Sequence, residues 1–260
     1  MDPGTLAGLV VAFAAIFAAN YLEGGKPGAM FLFPPMLLVF GGTFGVAMAG
    51  GLLSDTIGSL KALKRAFTAP VPVPDASVGQ LVELAEQARR NGLLALEESA
   101  RNVEDPFLKK GVEMLVDGTD PNELRDILEA KVDAKRATDK SHAKLFADMG
   151  GYAPTIGIIG TVLSLVHVLE NLDKPEELGH LIGAAFLATL WGVLSANVMF
   201  LPWASKLKRL SELEIRQMEM TIEGLMSIQA GSNPRVIEQK LLAFLPAGSD
   251  SATRDDKKAA

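Results

Sequence analysis

Apolar and polar positions along the 260-residue chain are segregated into blocks rather than interleaved. Residues 5–22, 29–53, 149–169 and 181–204 contain no Asp, Glu, Lys or Arg, giving uncharged runs of 18, 25, 21 and 24 residues. A hydrocarbon core ~30 Å thick needs about 20 helical residues at ~1.5 Å each, and soluble core helices rarely run so far without a charge. The pattern predicts four membrane-spanning helices, against the alternative of a soluble helical bundle. The first run lacks a basic leading segment and the second follows after six residues, which favours a retained hairpin over a cleaved signal peptide.

Between the runs, apolar residues recur at helical spacing, separated by turn signals. The stretch TAPVPVP (68–74) is too rich in proline for a helix and reads as a stiff linker. Ser77 with Gln80 forms a capping box ahead of the stripe Leu81, Leu84, Ala85 and Ala88, which Gly92 stops. Asp105 before Pro106, Asp120 before Pro121 and Asn233 before Pro234 each combine an N-cap with a first-turn proline. No breaker follows Pro121 until Gly150, so that helix is expected to run into the third span. The fourth continues through Leu207, Leu210, Met218, Ile222 and Leu225 before Gly231.

The resulting expectation is an all-α integral membrane protein with four transmembrane helices, long cytoplasmic helical extensions of spans three and four, and a cytoplasmic helical domain. Its segments are a transmembrane hairpin (3–53), a cytoplasmic helical domain (54–148), spans three and four (149–204), a stalk with a C-terminal helix (205–246) and a disordered tail (247–260).

Charge supplies the orientation. Of the 25 Lys and Arg, 23 lie within 54–148 or beyond 204, and Lys61, Lys64, Arg65, Lys140, Lys144, Lys206, Lys208 and Arg209 sit close to spans. The positive-inside rule then places both termini and the large loop in the cytoplasm. The opposite connection, ENLDKPEELGH, carries Glu170, Asp173, Glu176 and Glu177 against one Lys; it is either a cation-concentrating surface or a solvated loop. The absence of cysteine excludes disulfides and thiol chemistry. Basic residues are scattered through mixed-charge helices, so nucleic-acid binding is unsupported. No nucleophile, metal cluster or phosphate loop stands out, so neither an enzyme nor a resident cofactor is expected.

Inside the spans the chemistry is sparse. Small residues recur every four positions at Gly4, Gly8 and Ala12, at Gly41, Gly45 and Ala49, and at Ala184, Ala188, Gly192 and Ala196, which suits close helix packing within or between subunits. Thr161 and Ser164 in the third span either bond the carbonyl a turn earlier or face a water-accessible path. Pro154 and Pro202 each leave a carbonyl without its helical donor, at Gly150 and Val198, and act as bends or as a paired hinge. His167 is the only histidine inside a span, and its place beside Glu170 reads as interfacial rather than as a proton relay. If an ion crosses, a partner chain must bring the carboxylate.

The motifs ARRNGLLALEESARNVEDPFLKKGVEMLVDG, YAPTIGIIGTVLSLVHVL, ELGHLIGAAFLATLWGVLSAN followed by Pro202, and VIEQKLLAFLP together resemble the MotA/PomA family of bacterial flagellar stator proteins, over about residues 1–246. The resemblance implies a multi-pass protein of the bacterial inner membrane. It also implies a homopentamer around a MotB/PomB-like single-span partner that supplies an ion-binding Asp, with H+ or Na+ as the transported ion and the rotor protein FliG as the surface driven. Carried over by motif, the rotor contact falls on Arg89 and Glu97, with Arg90 and Glu98 beside them, and conformational coupling on Pro154 and Pro202. Thr161 and Thr189, with Ser164, line the ion path; Thr161 stands where sodium-driven members carry Thr. The nearest rival resemblance is an ExbB/TolQ-like energy transducer, which usually has three spans. A further alternative is a non-conducting membrane scaffold.

Overall fold

A computed structural model describes residues 3–68 and 74–245, all helix and turn among the described residues. The expected linker lies partly, and the expected disordered tail entirely, outside the described residues. Helix α1 (Pro3–Leu22) is followed by a 3-10 turn at Pro27–Met30 and by α2 (Phe33–Ala49), then α3 (Leu53–Thr68). After α4 (Pro74–Asn91) come α5 (Leu96–Arg101) and α6 (Pro106–Val116). The long helices α7 (Pro121–Glu170) and α8 (Pro175–Gln229) precede the short α9 (Pro234–Leu242).

Three helices, α1, α7 and α8, are long and apolar enough to cross a membrane. The second apolar run, expected to be helical over 29–53, is helical over Phe33–Ala49 only. Pro34 and Pro35 occupy its first turn, where a missing N–H costs nothing, and Leu32 before them is extended.

The punctuation works as local chemistry dictates. Asp105 accepts from the Phe107 amide at 2.8 Å, Asp120 from the Asn122 amide at 2.9 Å and Asn233 from the Arg235 amide at 3.0 Å. Gly92 (φ 80°) and Gly231 (φ 68°) close α4 and α8 in the left-handed region. The capping box at Ser77 does not form. α4 begins three residues earlier at Pro74, and the Ser77 hydroxyl instead accepts from Gln217 Nε2 at 2.9 Å, a tertiary bond that overrides the local motif.

The chain divides into two compact units, one within 1–70 and 138–209, the other within 71–137 and 210–260. In the second, Leu81, Leu96, Leu108, Leu124, Leu225 and Ile237 are buried in one apolar core. Gly111 leaves room there for the Leu225 side chain. The rim carries ion pairs from Lys135 to Glu214 at 2.6 Å and from Arg136 to Glu219 at 2.7 Å. In the first unit, Phe146, Ala153, Ala196, Phe200 and Ala204 are buried together. An aromatic run from Phe13 through Phe17, Phe31, Trp191 and Phe40 to Phe200 ties α1 and α2 onto α8.

Candidate functional site

The upper part of α7 and the first half of α8 cross with almost no side chain between them. A Cβ on Gly157 would lie 2.8 Å from the Ala188 carbonyl oxygen and 3.2 Å from Gly192 Cα; one on Gly192 would lie 2.7 Å from the Ala153 carbonyl oxygen. Glycine is required on both sides because the obstacles are backbone atoms, which cannot rotate away. Gly160 on the adjacent face seats Leu38 of α2 and Ala188. Of the small-residue ridges, the one through Ala188, Gly192 and Ala196 is therefore a packed contact. Gly8, Gly45 and Gly183 have open space where a Cβ would stand.

This close approach brings two hydroxyls together. Thr161 Oγ1 and Thr189 Oγ1 are hydrogen-bonded to each other, and Thr161 Oγ1 also lies 3.0 Å from the Ala185 carbonyl oxygen and 3.2 Å from that of Gly157. Thr161 thus reaches the carbonyl a turn earlier in its own helix and, at the same time, two oxygens of the facing helix. Two hydroxyl and two carbonyl oxygens converge at one half-buried point, an arrangement able to replace hydration oxygens of a small cation or to order a water. Ser164, one turn further on, is half-buried and makes no hydrogen bond to either threonine.

Both prolines sit inside continuous helices at one level of the crossing. Gly150, whose carbonyl Pro154 cannot pair, is buried against Leu201, the residue before Pro202. Ahead of Pro202 the helix widens into a π turn over Ser195–Phe200, one of the recognised responses to a disrupted backbone ladder. Side chains there bond backbone oxygens, Ser195 Oγ donating to Gly192 at 3.2 Å and Asn197 Nδ2 to Val193 at 2.9 Å.

His167 is exposed, and its Nδ1 lies 3.2 Å from a Glu170 carboxylate oxygen. A residue that sequence reasoning passed over is Trp191, which is buried and donates its indole N–H to the Met30 carbonyl at 2.7 Å. The signal was present: a tryptophan in an apolar span needs a partner for its N–H.

In the other unit, Arg89 and Arg90 end α4, and Glu97 and Glu98 begin α5 after the Gly92 turn. Cations at a helix C-terminus and anions at an N-terminus suit the helix dipoles. All four are exposed, with the exposed Leu94 between the pairs. Arg90 pairs with Glu86 at 3.5 Å and Glu97 with Arg101 at 3.3 Å, each within its own helix. Pairs of that kind are worth about 0.3–0.5 kcal/mol and exchange readily for an external partner.

Comparison with known proteins agrees with this architecture. Residues 99–220 match the model of the MotA/TolQ/ExbB proton channel family. The chain is 38% identical over 251 residues to motility protein A of Bacillus subtilis, covering 95% of this chain and 92% of that protein. It is 34% identical to the chemotaxis protein PomA of Vibrio alginolyticus, covering 98% of this chain and 100% of that one. Among solved structures, C. jejuni MotAB superposes with a TM-score of 0.91 at 32% identity, covering 96% of this chain and 98% of the other. The MotAB stator complex of Bacillus subtilis gives 0.85 at 36% identity over 94% and 96%.

Proposed function

The chain belongs to the MotA/TolQ/ExbB proton channel family, and from that premise we propose that it is a stator subunit of the bacterial flagellar motor, working with a MotB-like partner to convert ion flow into torque. The crossing of α7 and α8 carries this reading. It combines backbone-to-backbone contact, two prolines at one level and a paired hydroxyl, in spans that hold no carboxylate. A cation needs a counter-charge in a low-dielectric path. That charge is assigned to an Asp on the partner's single span.

The finer assignments follow from the same features. At ~1.5 Å per residue the 17 residues of α2 reach about 26 Å, and the turn before it makes up the remaining depth, so α2 is counted as the fourth crossing. The basic residues put both termini on the cytoplasmic side. On that topology 3–53 is the hairpin, 149–204 the ion-path pair, and 54–148 with 205–246 the cytoplasmic part. Ile158, Ile159, Val162 and Val166 leave an apolar face of α7 uncovered, which suits a homo-oligomer closed around the partner, a pentamer by family resemblance. Thr161, Thr189 and Ser164 are assigned to the ion path. Pro154 and Pro202 are assigned to coupling, and Arg89, Arg90, Glu97 and Glu98 to the FliG contact.

The test is complementation of a strain lacking its own stator genes. Co-expressed with its MotB-like partner, the chain is expected to restore swimming; Pro154→Ala is expected to accumulate in the membrane with the partner yet swim poorly. Full swimming by Pro154→Ala would remove the coupling role, and no swimming by the unaltered pair would remove the stator reading.

A further inference from the structure

A cleft of about 590 Å³ lies between α1 and α8, in the unit that holds the apolar helices. That volume falls within the ~300–1,000 Å³ of ligand-binding clefts. One wall is the small-residue ridge Gly4, Gly8 and Ala12, and the other runs past Pro202 to Lys206 and Arg209. The ridge is open at Gly8, where nothing stands within 4 Å of a Cβ, so the missing side chain there leaves room in the cleft. Lys206 and Arg209, three apart on one helix face, make its far end cationic. The positive end of the α1 dipole lies at the same end, since Gly4 and Thr5 line it.

We propose that this cleft binds one anionic phospholipid, an acyl chain lying along Gly8 and Ala12 and the phosphate held by Lys206 and Arg209. The proposal rests on the membrane topology given above, which puts the cationic end at the cytoplasmic headgroup level. Basic pockets between spanning helices at that level select anionic headgroups. An apolar trough ending in two basic side chains matches an amphiphile with one negative head. A lipid wedged beside Pro202 would bear on the π turn and hence on the coupling region.

The experiment is native mass spectrometry of the full chain in complex with its MotB-like partner, purified from vesicles of mixed phosphatidylglycerol and phosphatidylcholine. Each Lys or Arg facing an anionic lipid contributes a factor of about five. Lys206→Gln with Arg209→Gln is therefore expected to lower retained phosphatidylglycerol about 25-fold. Gly8→Leu, whose Cβ meets nothing within 4 Å and whose branch enters the trough, is expected to displace it with the charges intact. The charge-preserving pair Lys206→Arg with Arg209→Lys is expected to retain it and reports that the fold survives substitution there. Unchanged retention in the neutralised and filled variants overturns the proposal. So does loss in the neutralised variant with full retention in Gly8→Leu, which reduces the effect to surface charge, and so does near-complete disulfide linking of neighbouring copies through Gly8→Cys. Lipid retention is read without motility or ion flux, so a complex that keeps phosphatidylglycerol but fails to restore swimming counts against the stator reading alone.

Discussion

Placing one methyl group on Gly157 tests whether the α7–α8 crossing sets the geometry of the site. The new Cβ would lie 2.8 Å from the Ala188 carbonyl oxygen, 3.2 Å from Gly192 Cα and 3.3 Å from Thr189 Cα. Ordinary contact begins near ~3.5 Å, so the helices must part by about 0.7 Å. Parting by that much stretches the bond from Thr161 Oγ1 to the Ala185 oxygen from 3.0 Å to about 3.7 Å, beyond hydrogen-bonding range. Overpacking costs about 1–3 kcal/mol and the lost bond about 1, while replacing a helical glycine returns about 0.5–1. Gly157→Ala is thus expected to destabilise by about 1–3 kcal/mol, read as a midpoint lower by about 3–9 °C in thermal unfolding of the purified complex. Gly183→Ala is the control, since nothing stands within 4 Å of its Cβ, and it is expected to be neutral or slightly stabilising. Equal midpoints for the two variants would refute the reasoning.

Three further outcomes follow. Trp191→Phe keeps an aromatic ring but removes part of the buried indole and leaves the Met30 carbonyl without its donor, so a loss of at least about 1–3 kcal/mol is expected in the same unfolding assay, and an unchanged midpoint would count against the anchor. Arg89→Glu combined with Glu97→Lys reverses two exposed charges at helix ends, so unfolding should shift by no more than about 2 kcal/mol while swimming is lost; normal swimming would remove the rotor-contact assignment. If the Thr161–Thr189 pair dehydrates sodium, motor speed at fixed pH should rise with sodium concentration and Thr161→Ala should weaken that dependence, whereas a speed indifferent to sodium in the unaltered protein points to protons.

Local chemistry was legible in the sequence wherever it decided the outcome alone. Asp105, Asp120 and Asn233 cap the helices they precede, Gly92 and Gly231 end theirs, and the uninterrupted stretch from Pro121 becomes a 50-residue helix. Failures came where distant residues compete. Ser77 is drawn away from its capping box by Gln217, and the pairing of Thr161 with Thr189 depends on the approach of Gly157 to Gly192, which periodicity within either helix does not reveal. The four-residue spacing of small side chains was visible in three ridges, yet only the ridge through Ala188 and Gly192 packs against another backbone, while the one through Gly8 borders an open cleft. Spacing identifies a surface that permits close contact. Which neighbour arrives is set by the whole unit.

The central claim is that these spans form a path whose charge is completed by another chain. Ion flux in vesicles containing the purified protein alone, the protein with its MotB-like partner, and the protein with a partner whose membrane Asp is replaced by Asn tests it most directly. Conduction is expected only from the complex with the intact Asp. Flux of comparable size from this chain alone would contradict the account.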